Sequence, residues 1–270
     1  LFEDGVKSIS TEPKALLTIS GLTFAYEGAV GQNQRQTISD LCLNVHEAEI
    51  LCILGASGCG KSTLLNLIAG LLKPNRGAVE FPQKAGKGRG IGYIFQQDAL
   101  LPWRTVEANL MLASELTAVN NKMQMLSRIG QYLNVFHLKP DILKKYPNQL
   151  SGGMRQRVSI MQSLMFDPQL FLLDEPFSAL DFYTKLSLEN EFYQLVKEQR
   201  KGAILVTHDI EEAVAMADRV ILMSKDGLFT KEYEIEYDDP DRTPENARGT
   251  AKFAELYRVI WSELKAVIEA

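Results

Sequence analysis

The sequence predicts an α/β fold organised around a parallel sheet. Three observations carry that expectation. Short, wholly apolar runs recur at residues 50–54, 171–173, 203–206 and 220–223. They are too brief for helices and too uniform for strands with a wet face, so they read as strands buried on both sides. Helical patterns lie between them, the alternation that sets strands parallel. The first run also stops at a glycine and leads into a Gly-rich stretch and then an apolar helical segment.

Element by element, residues 1–13 are polar and read as a flexible lead-in. Residues 16–26 alternate loosely, as an edge strand would, and a Gly/Gln-rich loop follows from Gly28 to Gln36. Residues 38–45 form a second strand, and 46–49 turn into the buried run 50–54. Residues 63–72 read as a mostly buried helix ended by Lys73 and Pro74. Short strands at 78–81 and 90–95 enclose a basic loop with Lys84, Lys87 and Arg89, expected to be solvated. From Thr105 to Tyr146 the pattern is helical, broken at Pro140 and Pro147. Residues 232–248, with Pro240 and Pro244, read as loop. Phe253, Leu256, Ile260, Leu264 and Ile268 then space as one face of a final helix.

Composition narrows the function classes. The chain has 270 residues, 46% hydrophobic and 23% charged, which suits a folded globular protein. Lys+Arg 29 against Asp+Glu 34 gives net −5, which argues against nucleic acid as a partner. No apolar run approaches the roughly 18–20 residues of a membrane span. No basic segment followed by an apolar stretch opens the chain, so no signal peptide is expected. Three cysteines without a C-x-x-C pair suit reduced thiols. Cys42 and Cys52 lie on strand patterns and are expected to be buried and inert.

Gly55, Ala56, Ser57, Gly58, Cys59, Gly60, Lys61 and Ser62 match G-x-x-x-x-G-K-[ST] between a buried strand and a helix. In that context the glycines let successive N–H groups face one centre, and the helix N-terminus adds partial positive charge. Lys61 is expected to reach the β- and γ-phosphates of a nucleotide, and the Ser62 hydroxyl to ligate Mg²⁺. An open phosphate loop would also leave Cys59 accessible to alkylation and its thiolate favoured. A second apolar strand ends in Asp174 and Glu175. Its carboxyl end faces the ligand crevice of a parallel sheet. Asp174 suits the metal and Glu175 a general base for the attacking water. Ser151 reads as an N-cap and, with Gly152 and Gly153 at a helix start, makes a second anion site. A chain that already has a phosphate loop needs no second one, which suggests a nucleotide shared between subunits.

With Gly55 to Ser62, Leu150 to Met154, Leu172 to Asp181 and then Thr207, His208 and Asp209 in order, the sequence resembles the nucleotide-binding subunit of an ATP-binding-cassette (ABC) transporter over residues 16–225. Residues 95–106 and the final helix resemble the nitrate/sulfonate/taurine/bicarbonate importer subfamily. The resemblance implies a P-loop NTPase (RecA-like) core with an antiparallel β subdomain at 14–95 and 151–231. It implies an inserted α-helical subdomain at 96–150 with the signature at its end, and a C-terminal tail and helix at 232–270. By the same resemblance Tyr26 stacks on adenine, Thr63 joins the nucleotide contacts, and Gln96 touches Mg²⁺ and the attacking water. Ser151, Gly152 and Gly153 close on the γ-phosphate held by the opposite subunit, Asp181 links the two sites, and His208 contacts the γ-phosphate. A core tyrosine is the plain alternative for Tyr26.

The implied cofactors are ATP and Mg²⁺. The implied partners are a second, identical ATP-binding subunit, integral membrane permease subunits and a separate solute-binding protein, with the chain peripheral on the cytoplasmic face of the cell membrane. Import of a small anion or sulfonate-like solute is the expected function. The competing reading is a non-transport ABC-type ATPase acting on ribosome or DNA; a small P-loop kinase would leave the signature unexplained. Departures from the family pattern are Ala48 where glycine is common and Gln162 where arginine is usual, which puts an ion pair near the sheet in doubt. His46 and His137 lack partners at metal-ligand spacing and are expected at the surface. The methionines at 111, 123, 125, 161 and 165 are expected to fill core gaps. Leu100, Leu101, Pro102 and Trp103 form an uncharged run expected to dock a short helix of the membrane subunit. The alternative packs Trp103 against 105–146.

Overall fold

A computed structural model of the protein describes residues 14–26, 36–82, 90–117, 121–239 and 241–269. The lead-in 1–13, most of the loop from Gly28 to Gln36, the basic residues Lys84, Lys87 and Arg89, and Pro240 lie outside them.

The strands are β1 (Ala15–Phe24), β2 (Ile38–His46), β3 (Ile50–Gly55), β4 (Arg76–Glu80), β5 (Ile91–Ile94), β6 (Leu170–Asp174), β7 (Gly202–Thr207), β8 (Arg219–Met223) and β9 (Phe229–Glu234). The helices are α1 (Lys61–Ala69), α2 (Val106–Leu110), α3 (Leu112–Thr117), α4 (Lys122–Val135), α5 (Gly152–Met165), α6 (Phe182–Glu198), α7 (Ile210–Met216), α8 (Pro244–Arg248) and α9 (Ala251–Glu269). The main sheet runs β5-β6-β7-β3-β8-β9. Its first five strands are parallel and β9 is an antiparallel edge. A second sheet, β2-β1-β4, is antiparallel throughout.

The buried runs behave as their uniform hydrophobicity demands. On β3, Ile50, Cys52 and Leu54 enter one core with α5, α6, α7 and α9. Leu51 and Ile53 enter another, where α1 lies between the two sheets. On α9, Ile260 and Leu264 are buried, with Phe253, Leu256 and Ile268 packed beside them. The helical stretch after Thr105 is four separate pieces: α2, α3, α4 and a 3-10 turn at Pro140–Lys144.

Several expectations are corrected. β1 is the central strand of its sheet, not an edge, because Arg76–Glu80 pairs along its other side. Helix α1 stops before residue 72: Gly70 takes φ 77 and its N–H returns to Asn66 O and Leu67 O, a left-handed C-cap. The segment after Glu232 begins as strand and later holds α8. Cys42 is exposed, since β2 alternates and its neighbours Leu41 and Leu43 take the buried face. Met123, 80% exposed, sits on the first turn of α4 outside the core. His46 is half-buried, its Nδ1 3.0 Å from Glu49 Oε2, while His137 is exposed. Ala48 occupies a left-handed turn position, φ 59, where glycine is the unstrained choice.

Candidate nucleotide site

Four adjacent strands of the main sheet, β5, β6, β7 and β3, deliver the candidate residues at their carboxyl ends. The Gly-rich loop leaves β3 and enters α1 at Lys61. Gly60 holds φ 108, and a Cβ there would lie 2.7 Å from Thr37 O, so only glycine makes this corner. Lys61 is buried and its Nζ donates to Gly55 O at 2.7 Å and Ala56 O at 3.0 Å, folding the ammonium back over its own loop. Thr63 on α1 meets the Tyr26 hydroxyl at 3.2 Å between oxygens. Tyr26 is 52% exposed, edge-on to Phe24, so it is not a core tyrosine.

Ser62 Oγ donates to Asp174 Oδ1 at 2.9 Å, joining α1 to the end of β6. Burial, reinforced by the neighbouring Glu175 charge, holds the Asp174 carboxyl above its ordinary pKa. A cation beside it would relieve both causes. With Gln96, the donors are hydroxyl, carboxylate and amide oxygen, the set that suits a hard divalent cation. Among the described residues no cluster of three or more His, Cys, Asp or Glu could hold a metal by itself.

Glu175 takes φ 47, a left-handed backbone unusual for glutamate, with its N–H bonded to Val206 O at 2.9 Å. Such strain clusters where a side chain must be aimed. Both carboxylate oxygens are engaged: Oε1 lies 3.0 Å from His208 Nδ1 and Oε2 accepts from Gln96 Nε2 at 3.4 Å. Gln96, Glu175 and His208 thus converge from three strands, although they are 33 or more residues apart in pairs.

The structure places the signature residues on a different element. Ser151 caps α5 through the Met154 N–H, as expected. A Cβ on Gly153 would meet Thr184 Cγ2 at 2.6 Å, whereas nothing described lies within 4 Å of one on Gly152. Packing within the chain therefore explains Gly153 and leaves the space over Gly152 open. Asp181 caps α6, its Oδ1 accepting from the Thr184 N–H at 3.1 Å.

Cys59 overturns the expected reactivity. It is 2% exposed, and burial raises its thiol pKa against the opposing charge of Lys61. Only Leu100 of the uncharged run enters the core; Trp103 is 72% exposed, which excludes its packing against 105–146. The loop beneath Trp103 is held by Asn109, whose Nδ2 donates to Leu101 O, Arg104 O and Thr105 O. Gln162 donates to Asn109 O at 3.2 Å, a neutral bond where an ion pair was in doubt. Sequence reasoning missed Thr37 and Lys225, which with Ser57, Gly58 and Cys59 line a 290 Å³ cavity beside the phosphate loop. It also missed Asp98, whose carboxylate accepts from Arg155 Nε at 2.9 Å and joins the Gln96 loop to α5. No local motif marks these three.

A parallel sheet with a phosphate loop after one strand and paired acids after another defines a P-loop nucleoside triphosphatase. The chain belongs to the ABC transporter family, whose model matches residues 38–178, and it is an ATP-binding ATPase of that family. It is 42% identical over 233 residues to the uncharacterized ABC transporter ATP-binding protein YtlC of Bacillus subtilis (strain 168), across 85% of this chain and 89% of YtlC. It is 42% identical over 211 residues to the taurine import ATP-binding protein TauB of Escherichia coli (strain K12), across 77% of this chain and 80% of TauB. Among solved structures, the dimeric bacterial ABC transporter cassette MJ0796 matches with TM-score 0.72 at 30% identity, covering 82% of this chain and all of that one. The same cassette as a post-hydrolysis dimer bound to ADP and Pi matches with TM-score 0.72 at 31% identity, over 82% of this chain and all of that one. Among the described residues no helix is long and apolar enough to cross a membrane.

Proposed function

We propose that the chain is the ATPase of an importer for a small anion or sulfonate-like solute, working as a pair of identical cassettes on the cytoplasmic side of two permease subunits. A separate solute-binding protein delivers the cargo in this reading. The observation that carries the catalytic part is the meeting of Gln96 and His208 on the strained Glu175, beside the Ser62–Asp174 bond. The taurine relative favours import and the sulfonate class, and the dimeric MJ0796 cassettes favour pairing.

In this mechanism the N–H groups of Gly58, Gly60, Lys61 and Ser62 cradle the phosphates, and Lys61 turns its ammonium from its own carbonyls to the β- and γ-phosphates. Ser62, Asp174 and Gln96 would hold Mg²⁺, which when bound would supply neutralisation of the phosphate charge. Glu175 accepts a proton from the attacking water. His208 donates to the γ-phosphate, and Tyr26 stacks on adenine. Ser151, Gly152 and Gly153 close on the γ-phosphate of the partner cassette, for which the open space at Gly152 leaves room, and Asp181 communicates between the sites. The exposed Trp103 receives a short permease helix.

The test is Glu175→Gln. It should bind Mg-ATP, lose hydrolysis by about 10²-fold or more, and accumulate an ATP-bound dimer on size exclusion. Lys61→Ala should instead lose nucleotide binding. Near-normal turnover by Glu175→Gln would sink the assignment of the base.

A further inference from the structure

His208 is held by its neighbours, and both neighbours are anchored on one cation. On its N-terminal side, Thr207 is buried; its Oγ1 donates to Glu212 Oε2 at 3.2 Å and accepts the Asp209 N–H at 3.0 Å. On the C-terminal side, Asp209 caps α7 by accepting from the Glu211 and Glu212 N–H groups at 2.9 and 3.3 Å. Its other oxygen takes Lys185 Nζ at 2.5 Å. The same ammonium lies 3.3 Å from Glu212 Oε2 and 3.8 Å from Glu189 Oε1. Lys185 belongs to α6, and its N–H bonds to Asp181 O at 2.9 Å, one turn from the helix cap.

We propose that Lys185 is a positioning residue for His208: its ammonium, shared by Asp209 and Glu212, fixes the backbone of 207–209 so that the imidazole faces Glu175, and ties that placement to the helix Asp181 caps. The proposal rests on reading His208 as the γ-phosphate contact. Packing alone does not account for Lys185. Burial works against its charge, yet Glu212 and Asp209 outweigh burial and raise its pKa. An apolar side chain would fill the same volume without recruiting buried acids. Arg248 of α8 takes the other oxygen of Glu189, its Nη2 2.7 Å from Oε2, so the shorter contacts of Lys185, at 2.5 and 3.3 Å, are those that bracket His208.

The experiment compares Lys185→Met, which keeps the aliphatic stem, with Lys185→Arg in the purified full chain. ATPase kcat and KM, ATP affinity and thermal melting are measured for each. Lys185→Met should lower kcat about tenfold or more with KM and ATP affinity within about twofold, and Lys185→Arg should recover most of the rate. The pair with His208→Ala decides the route. If Lys185 acts through His208, the double variant is no slower than His208→Ala alone. Multiplying losses, a Lys185→Met rate within twofold of the parent, or equal losses of kcat and ATP affinity would each overturn the proposal. A full rate in His208→Ala would refute the reading of His208 itself; a slow His208→Ala beside a fast Lys185→Met refutes only the positioning. Should Lys185→Met fail to fold, the near-isosteric Thr207→Val removes the hydroxyl from the same bracket. It must show the same kcat loss at unchanged ATP affinity, and a full rate there overturns the proposal.

Discussion

Glu212→Gln should stabilise the protein at alkaline pH and leave it nearly unchanged in mild acid. Glu212 is fully buried on α7, and burial, the largest cause, raises its pKa from 4.5 to about 8. The groups around it are Lys185 and Glu189 on α6, Asp209 at its own helix start and Cys52 on β3; Lys185 opposes the rise, and Glu189 and Asp209 add to it. Between the two values the folded chain keeps a proton that the unfolded chain has lost. The stabilisation is therefore complete below pH 4.5 and fades as pH rises through about 8. Integrating that linkage from about pH 5.5 to about pH 8.5 gives on the order of 3 kcal/mol lost by the parent. Glutamine stays neutral throughout and keeps an oxygen for the Thr207 hydroxyl. Urea unfolding of both proteins across this range is the assay, because titrating groups that do not interact with Glu212 contribute equally and cancel in the difference. The gap should widen in favour of Glu212→Gln by about 3 kcal/mol toward alkaline pH. Parallel curves, or a gap that widens toward acid, would refute the reasoning.

Two further predictions concern side chains the structure relocated. Cys59 should alkylate far more slowly than the exposed Cys42 with or without Mg-ATP, read by mass spectrometry of labelled peptides; equal rates for the two thiols would contradict its burial. Trp103→Ala should leave the melting temperature of the free subunit nearly unchanged, since most of the indole is already in solvent. It should weaken co-purification with the permease by about 2 kcal/mol or more, and undiminished assembly would remove Trp103 from the docking surface.

The legible part of the fold was the part whose signal is local. Residues 50–54 and 203–206 are apolar without interruption, and only a strand buried on both faces uses such text. β9 was missed because its two apolar residues, Phe229 and Tyr233, are separated by Thr230, Lys231 and Glu232; charge on an edge strand discourages further pairing and also hides it. β1 was placed at an edge because its apolar alternation is loose, and the short, largely exposed strand read at 78–81 carries no signal that it pairs there. In the site, Gly55 to Ser62 and the Asp174–Glu175 pair were readable since contiguous residues carry them. Lys185 and Glu212 were not, because a charge buried on a helix looks in sequence like a charge on its wet face. Cys59 was misjudged for a related reason: the loop is open on its phosphate side, while its thiol packs inward among the residues around α1.

Helix α1 is wedged between the two sheets. Leu64, Leu65, Leu67 and Ile68 share a core with Leu17 and Val45 on one side and Leu51 and Ile53 on the other. A rod gripped from both sides has no compliant direction, so the backbone that begins it at Lys61 inherits the stiffness of both cores. On the proposed reading of the site, the ordering entropy of the amides at the start of α1 is spent during folding and not on binding nucleotide. Mechanically the proposed phosphate cradle is a fixed jaw: a load applied at its lip passes into both sheets instead of being absorbed by the helix.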